Sequence, residues 1–528
     1  MLAAASQRVE RLRASLEVLE GAPVRLVETH ISWVLLGQSL AYKLKKPLQL
    51  AFLDFTTLAA RRRYCEEELR LNRRLAPALY LDVVDVCDSL PGPTFGGVGP
   101  VVDVAVRMCR FPDGALWSEM LAEGTLASCH IDALAQRLAD FHRDAAVAPP
   151  DSMFGSAASR ERVTQGLIDA IDARQDESEA SESVIDWPGL RAWLGQQQQA
   201  LSPLWAARRR AGCVRECHGD LHLANVLQLA GEATAFDAIE FDAELRWIDV
   251  LDDIAFLAMD LLAYGRRDLA FRFINAYLAA SGDYDGLPAL RYGMVCRALV
   301  RARVTAVGGK QGMHSAARCG ERDYLALAWA LSCSADARLA ITHGLPGSGK
   351  SVAAQGVVEA AGAIGARSDV ERKRLFGLSA RQSSSGHVPG GIYDPAATLR
   401  SYSRLREIAM VALGAGWPVV VDAAFLLRSE RAAFAALAAS LRVPFTVFDC
   451  QAELPLLRQR ILQRQADGLD ASEADVAVLE SLTAVEEPLC AAERAVAIVV
   501  DAAHAVPPAT LAQRWLAAGR QMPQPLPP

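Results

Sequence analysis

A chain of 528 residues is well beyond the size at which single hydrophobic cores stop growing, so two or three domains are expected. With 52% hydrophobic and 22% charged residues it has the composition of a soluble globular protein. It has no run of about 18 uncharged apolar residues, which excludes a simple membrane span. The first 20 residues interleave Arg8, Arg11 and Arg13 with Glu10, Glu17 and Glu20, unlike a signal peptide, so a cytoplasmic protein is expected. A net charge of −7 argues weakly against a nucleic-acid binder without excluding one. Eleven cysteines without a C-x-x-C pair fit a reducing compartment, and Cys213 and Cys217 read as packing thiols.

In chain order, Val24 to Leu36 is β-rich, Gly37-Gln38-Ser39 is a turn signal and Leu40 to Lys46 continues as a second strand, giving a hairpin. Thr57 to Leu75 turns helical, strands bracket the Gly/Pro-rich turn Pro91 to Pro100, and Val101 to Cys109 has strand character. A small β-rich lobe with one helix results. After Phe111-Pro112-Asp113-Gly114 the chain becomes mainly helical, with Ile131 to His142 clearly amphipathic. Arg174 to Asp186 reads as a solvent-facing flexible loop and Gln196 to Gln199 as a polar tract. Val226 to Leu229 and Thr234 to Phe236 flank a Gly231-Glu232 turn as short strands, and helices follow to about Cys333.

The character changes at Leu339, where a short strand leads directly into a glycine-rich loop, so a domain boundary is expected near residue 335. Beyond it, Trp417 to Val421, Val443 to Phe448 and Ala495 to Val500 read as buried strands. Helices such as Ser401 to Leu413 and Glu430 to Leu441 separate them. This is an α/β layout with a parallel sheet.

Two motifs carry chemistry. His218-Gly-Asp220-Leu-His222-Leu-Ala-Asn225 spaces an Asp and an Asn as a kinase catalytic loop does, and Asp237 follows twelve residues after the Asn. Upstream, Ala41-Tyr42-Lys43-Leu44-Lys45 lies on a strand and Glu66-Glu67-Glu68 on the next helix, the arrangement of a phosphate-placing Lys–Glu pair. Strand alternation puts Lys43 and Lys45 on one face, so spacing does not choose between them. The kinase strand pattern favours Lys43, with Glu68 as partner. Glu240 and Asp242 are further acids that could approach a metal, and His222 reads as structural. The run Asp249, Asp252, Asp253 on the next helix reads as a solvated face or equally, as resemblance to the aminoglycoside phosphotransferase family implies, as support for the loop.

This set resembles the aminoglycoside phosphotransferase family across roughly residues 25 to 330. The resemblance implies a two-lobed, protein-kinase-like α+β fold, with Asp220 as the base that orients the acceptor hydroxyl and Asn225 and Asp237 as Mg²⁺ ligands. Two departures stand out. No G-x-G-x-x-G covers the nucleotide, a task left to the hairpin around Gly37, and Asp237-Ala-Ile-Glu240 replaces D-F-G, so a Phe-controlled switch is not implied.

The second motif, Gly344-Leu-Pro-Gly347-Ser348-Gly349-Lys350-Ser351, is a G-x-x-x-x-G-K-S loop between strand and helix. Its glycines let backbone N–H groups converge on phosphate, Lys350 reaches the outer phosphates and Ser351 reaches Mg²⁺. Val419-Val-Val-Asp422 is a buried strand ending in an acid that suits the second Mg²⁺ ligand. Between them, Arg367-Ser368-Asp369 followed by Arg372, Lys373 and Arg374 resembles small P-loop kinases of the polynucleotide kinase, gluconate kinase and zeta-toxin type. That resemblance implies Asp369 as base and Arg372 as acceptor ligand. Arg458, Arg460 and Arg464 share one helix and read as a lid that could deliver an arginine to the transferring phosphate.

Nearly the whole chain, Val24 to Val500, thus resembles bacterial fusions of an aminoglycoside-phosphotransferase-like domain, here 1–335, with a P-loop kinase or ATPase-like domain, 336–528. The expected function is a bifunctional phosphotransferase that uses ATP and Mg²⁺ on small hydroxylated acceptors. A nucleotide-binding regulator acting on a partner and a nucleic-acid 5′-hydroxyl kinase are the alternatives.

Overall fold

The chain opens with a helix, Leu2–Glu20, ahead of the first expected strand. Ala5, Val9, Leu12 and Leu16 recur at three- and four-residue spacing and pack on Trp33, Leu35, Tyr42 and Leu44. The structure is a computed structural model that describes residues 2–50, 53–88, 90, 92–177, 185–310, 322–380, 382–384, 392, 394–467, 470–501 and 506–518. Residues 178–184 of the expected flexible loop lie outside these. Packing divides the chain into two compact units, Met1–Asp260 with Cys296–Ala328, and Leu261–Val295 with Trp329–Pro528. The units interleave along the chain, so residues 261–295, upstream of the expected cut near 335, pack with the second unit.

The first unit holds a six-stranded antiparallel sheet. Its order is Arg25–Glu28, Ser32–Leu36, Leu40–Lys45, Val101–Cys109, Tyr80–Cys87, Thr94–Phe95. Leu40–Lys45 is therefore central, with Lys43 opposite Val34 on one side and Val106 on the other. The helix Leu58–Asn72 begins at an N-cap, Thr57, whose hydroxyl accepts from Ala60 N, and it lies along the strand Val101–Cys109. The remainder is mainly helical, and Gln196 to Gln199 sits within the helix Trp187–Arg210. The strands Val226–Leu229 and Glu232–Ala235 pair in register with Leu229 opposite Glu232. Ala230 and Gly231 between them both have positive φ, 50° and 85°, as a two-residue turn matched to strand twist requires.

The second unit holds five parallel strands in the order Ile364–Arg367, Val419–Asp422, Leu339–His343, Phe445–Gln451, Ala497–Asp501. Leu339–His343 is buried along its length, and chain order reverses on either side of it. Ligand crevices form at that point in open parallel sheets. The helix Lys350–Ala361 packs against the helices Arg267–Ser281 and Pro508–Ala518, over a core that includes Val357, Val358, Phe448 and Trp515. Asn275 ties the first of these helices to the sheet edge: its Oδ1 accepts from Gly365 N at 2.6 Å and its Nδ2 donates to Ala363 O at 2.9 Å.

Candidate active sites

In the first unit the central strand and the helix Leu58–Asn72 bring two lysines to one carboxylate. Lys43 Nζ lies 2.8 Å from Glu68 Oε1, and Lys45 Nζ lies 2.7 Å from Glu68 Oε2. Lys43 also reaches Asp237 Oδ1 at 2.5 Å, while Lys45 hydrogen bonds Glu240. Burial works against the Lys43 ammonium, but Asp237 and Glu68 outweigh it and hold its pKa well above the ordinary value. Burial likewise works against the Glu68 carboxylate, and the two lysines outweigh it and push its pKa down. Burial raises the Glu240 pKa, against the pull of the Lys45 ammonium.

The catalytic-loop candidate is held from behind by Asp253, which is fully buried. Its Oδ2 accepts from His218 N at 3.0 Å, its Oδ1 accepts from Gly219 N at 2.8 Å, and Oδ2 lies 3.0 Å from His142 Nε2. Asp260 accepts from Leu223 N at 3.0 Å and from the Tyr324 hydroxyl at 2.9 Å. Gly219 sits at φ 86°, where an added Cβ would come within 2.7 Å of Leu245 O. On this frame Asn225 Nδ2 donates to Asp220 Oδ2 at 3.2 Å, and His222 Nε2 lies 3.5 Å from the same oxygen. Burial raises the Asp220 pKa, but His222 and Arg301 prevail, so the carboxylate is held below its ordinary range and stays ionised.

Phe236 N donates to Asn225 O at 3.0 Å, so the hairpin register sets Asn225 beside the start of the Asp237 segment. Asp237 itself has φ 63°, a left-handed conformation rare for a residue with a side chain. Its backbone N–H donates to the Tyr80 hydroxyl and that of Ala238 donates to Asn72 Oδ1 at 2.9 Å, which secures this conformation.

In the second unit the loop leaves the central strand at Gly344, φ 135°, and passes Gly347, φ 83°, and Gly349, φ 84°. A Cβ on Gly344 would lie 2.4 Å from Cys450 O and one on Gly347 would lie 2.9 Å from Leu457 O, so the closed loop demands both glycines. Ser348 Oγ is buried without a hydrogen-bond partner among the described residues, and Lys350 Nζ donates to Leu345 O at 2.8 Å. Burial lowers the Lys350 pKa. Asp422 ends its strand with its carboxylate buried, hydrogen bonded to Ser351 and 3.5 Å from Arg367 Nε. Burial raises its pKa. Asp369, in the first turn of the helix Ser368–Leu375, interacts electrostatically with Lys350, Arg367 and Asp422. These residues suit a nucleotide triphosphate with Mg²⁺: a cradle closed to side chains, one lysine, and a hydroxyl bonded to a buried acid.

The model of a family described as AAA domain matches residues 339–489. An uncharacterized protein of Mycobacterium tuberculosis is 33% identical over 462 residues, covering 86% of this chain and 88% of its own, and an uncharacterized protein of Mycobacterium bovis matches equally. The chain belongs to their family. Among solved structures it is similar to a gluconokinase from Sinorhizobium meliloti, with 19% identity over 34% of this chain and 91% of that one and a TM-score of 0.25. A choline/ethanolamine kinase family protein from Mesorhizobium loti gives 13% identity over 62% and 92%, with a TM-score of 0.35.

The AAA-domain match falls within the second of the two units. The structure brings together Lys43, Glu68 and Asp237, and it brings Asp220 to Asn225. It also gathers Lys350, Ser351, Asp369 and Asp422. Arg460 donates to Gly347 O at 3.3 Å, and Arg464 donates to Ala474 O at 2.6 Å while lying close enough to Lys350 to lower its pKa. Arg458 instead pairs with Glu480, both exposed. Arg372 is buried, beside Tyr402 and Glu430 electrostatically.

Other expectations are corrected. Asp242 caps the short helix Ala243–Arg246 by accepting from Glu244 N, and Glu240 serves Lys45, so neither is disposed toward a metal. The acidic run is no solvated face: Asp249 pairs with Arg208 at 2.6 Å, Asp252 with Arg160 at 2.6 Å, and Asp253 holds the loop. His142, Cys217 and Asp253 present ligand atoms within 4.8 Å of one another. Burial keeps the Cys217 thiol protonated and Asp253 is committed to its hydrogen bonds, so this cluster is support. Asn72 and Arg367 went unassigned in the sequence. Asn72 was detectable as the residue one helical turn beyond Glu68, and Arg367 as the last residue of the edge strand, in register with Asp422.

Proposed function

We propose that the chain is a bifunctional ATP-dependent phosphotransferase, in which each unit binds Mg-ATP and transfers the γ-phosphate to a hydroxyl of a small-molecule acceptor. The observation that carries this reading is common to both units: a buried lysine beside the carboxylate suited to a metal, Lys43 with Asp237 at 2.5 Å and Lys350 with the Ser351–Asp422 pair. Phosphoryl transfer asks mainly for alignment and charge neutralisation, which such a pairing supplies.

In the first unit Lys43, placed by Glu68, holds the phosphates, and Asn225 and Asp237 hold the metal. Asp220, ionised at neutral pH, accepts the proton of the acceptor hydroxyl. In the second unit the amides of Gly344 to Gly349, with Ser348, cradle the phosphates. Lys350 clamps them, Ser351 and Asp422 hold the metal, Asp369 accepts the proton, Arg372 contacts the acceptor, and Arg460 and Arg464 balance charge on the transferring group. Mg²⁺, when bound, supplies further neutralisation of the phosphate oxygens. The catalytic division falls near residue 335, between 1–335 and 336–528, and the setting is cytoplasmic.

Single-turnover assays with labelled ATP and a library of hydroxylated acceptors test this on the wild type, Asp220→Ala and Lys350→Ala. Each substitution is expected to abolish a different phosphorylated product. Retention of every transfer by both variants would contradict the reading and favour a nucleotide-binding regulator.

A further inference from the structure

Of the two lysines in the first site's charge network, Lys45 is the one with no access to a ligand. Its side chain is 0% exposed, walled by the Phe55 ring at 5.2 Å from Nζ and enclosed between Glu68 and Glu240. An ammonium placed there costs free energy unless carboxylates meet it. Those it meets belong to two different elements of the site. Glu68 is on the helix Leu58–Asn72, and Glu240 lies three residues beyond Asp237.

Glu68 is shared oxygen by oxygen, Oε1 to Lys43 and Oε2 to Lys45. Lys43 in turn is divided between Glu68 and Asp237, and it is 12% exposed on its side chain. Were Lys43 the sole cation on Glu68, it would have to neutralise a fully buried carboxylate and the nucleotide phosphates with one charge. The second lysine removes that conflict, because Glu68 keeps a counter-ion whatever Lys43 does.

We propose that Lys45 is a positioning residue of the kinase-like site: a permanent counter-ion that fixes Glu68 and, through Glu240, anchors the Asp237 segment, leaving Lys43 free to turn from Asp237 to the nucleotide phosphates. This rests on the reading of the first unit as a nucleotide site. It also assigns different tasks to two lysines that sequence alternation leaves equivalent. The anchoring of the Asp237 segment is doubled by the backbone, since Asn72 receives Ala238 N and donates to Glu68 O at 2.9 Å.

The test uses the full chain carrying Lys350→Ala, so that the second site is silenced, with Mg-ATP titrated by calorimetry and the thermal midpoint read in parallel. Lys45→Met is expected to lower the midpoint, because Glu240 loses its cation. Lys45→Met with Glu240→Leu replaces the buried Lys45–Glu240 pair by an apolar pair of similar volume and is expected to recover most of the midpoint, with Glu68 left to Lys43 alone. It should still bind Mg-ATP about 10-fold more weakly or worse. Full recovery of affinity with the midpoint would overturn the proposal, reducing Lys45 to packing. Glu240→Gln, which changes little volume, gives a second arm: weakened Mg-ATP binding supports the anchoring role and unchanged binding overturns it. Absence of Mg-ATP binding in the Lys350→Ala parent itself would be a different failure, that of the nucleotide-site reading.

Discussion

Asp253 acts on the Asp220 loop through its backbone: its two oxygens receive the N–H groups of His218 and Gly219 and the ring of His142. Burial alone would push its carboxyl up, but the hydrogen bonds and charges of His142 and His218 prevail and hold it at about 2. A depressed carboxyl contributes stability that is complete above the unfolded value of about 3.9 and is lost as pH falls through the folded one. The first unit should therefore weaken between about pH 4 and pH 2, and Asp253→Asn should flatten that part of its stability profile. The same variant is expected to cost about 3 kcal/mol at neutral pH and roughly 100-fold in transfer at the Asp220 site. Denaturation against pH and a product assay read both, and a variant with wild-type values would contradict the role. In the sequence Asp253 was one of three acids that read equally as support for the loop and as a solvated face. Its choice as support depends on His142 and His218, a contact that no local pattern encodes.

At the scale of elements, legibility followed the distance along the chain over which a feature is determined. The phosphate loop was readable because strand, glycines, lysine and serine are contiguous, and at Gly344 and Gly347 a side chain would clash with neighbouring backbone. The hairpin after Asn225 was readable from a two-residue turn. The helix Leu2–Glu20 carried its signal in Ala5, Val9, Leu12 and Leu16, diluted by exposed charges between them. The clamp of Asn275 on Gly365 and Ala363 was invisible, because its partners lie about ninety residues away. That clamp satisfies the backbone of the edge strand that leads to Arg367 and Asp369. Asn275→Ala is expected to destabilise the second unit by about 2–3 kcal/mol, since it strands a buried N–H and a carbonyl. Calorimetry of the full chain would register a lower transition for that unit, and an unchanged transition would contradict the clamp.

For the whole molecule, the two signatures lie in separate compact units, each with its own sheet and its own lysine and metal-side carboxylate. The fold classes of both units were legible, from antiparallel strands with one carrying the Lys–Glu pair and from alternating strands and helices behind a phosphate loop. The interleaving of the units was not, because helices that serve one core or another share the same apolar periodicity. The central claim is that the chain holds two Mg-ATP sites that function separately. Its most direct test is the stoichiometry of Mg-ATP binding by equilibrium dialysis on the full chain. Two equivalents are expected for the wild type, one each for Lys43→Ala and Lys350→Ala, and none for the double variant. A single equivalent in the wild type, or loss of both on changing either lysine, would contradict the account.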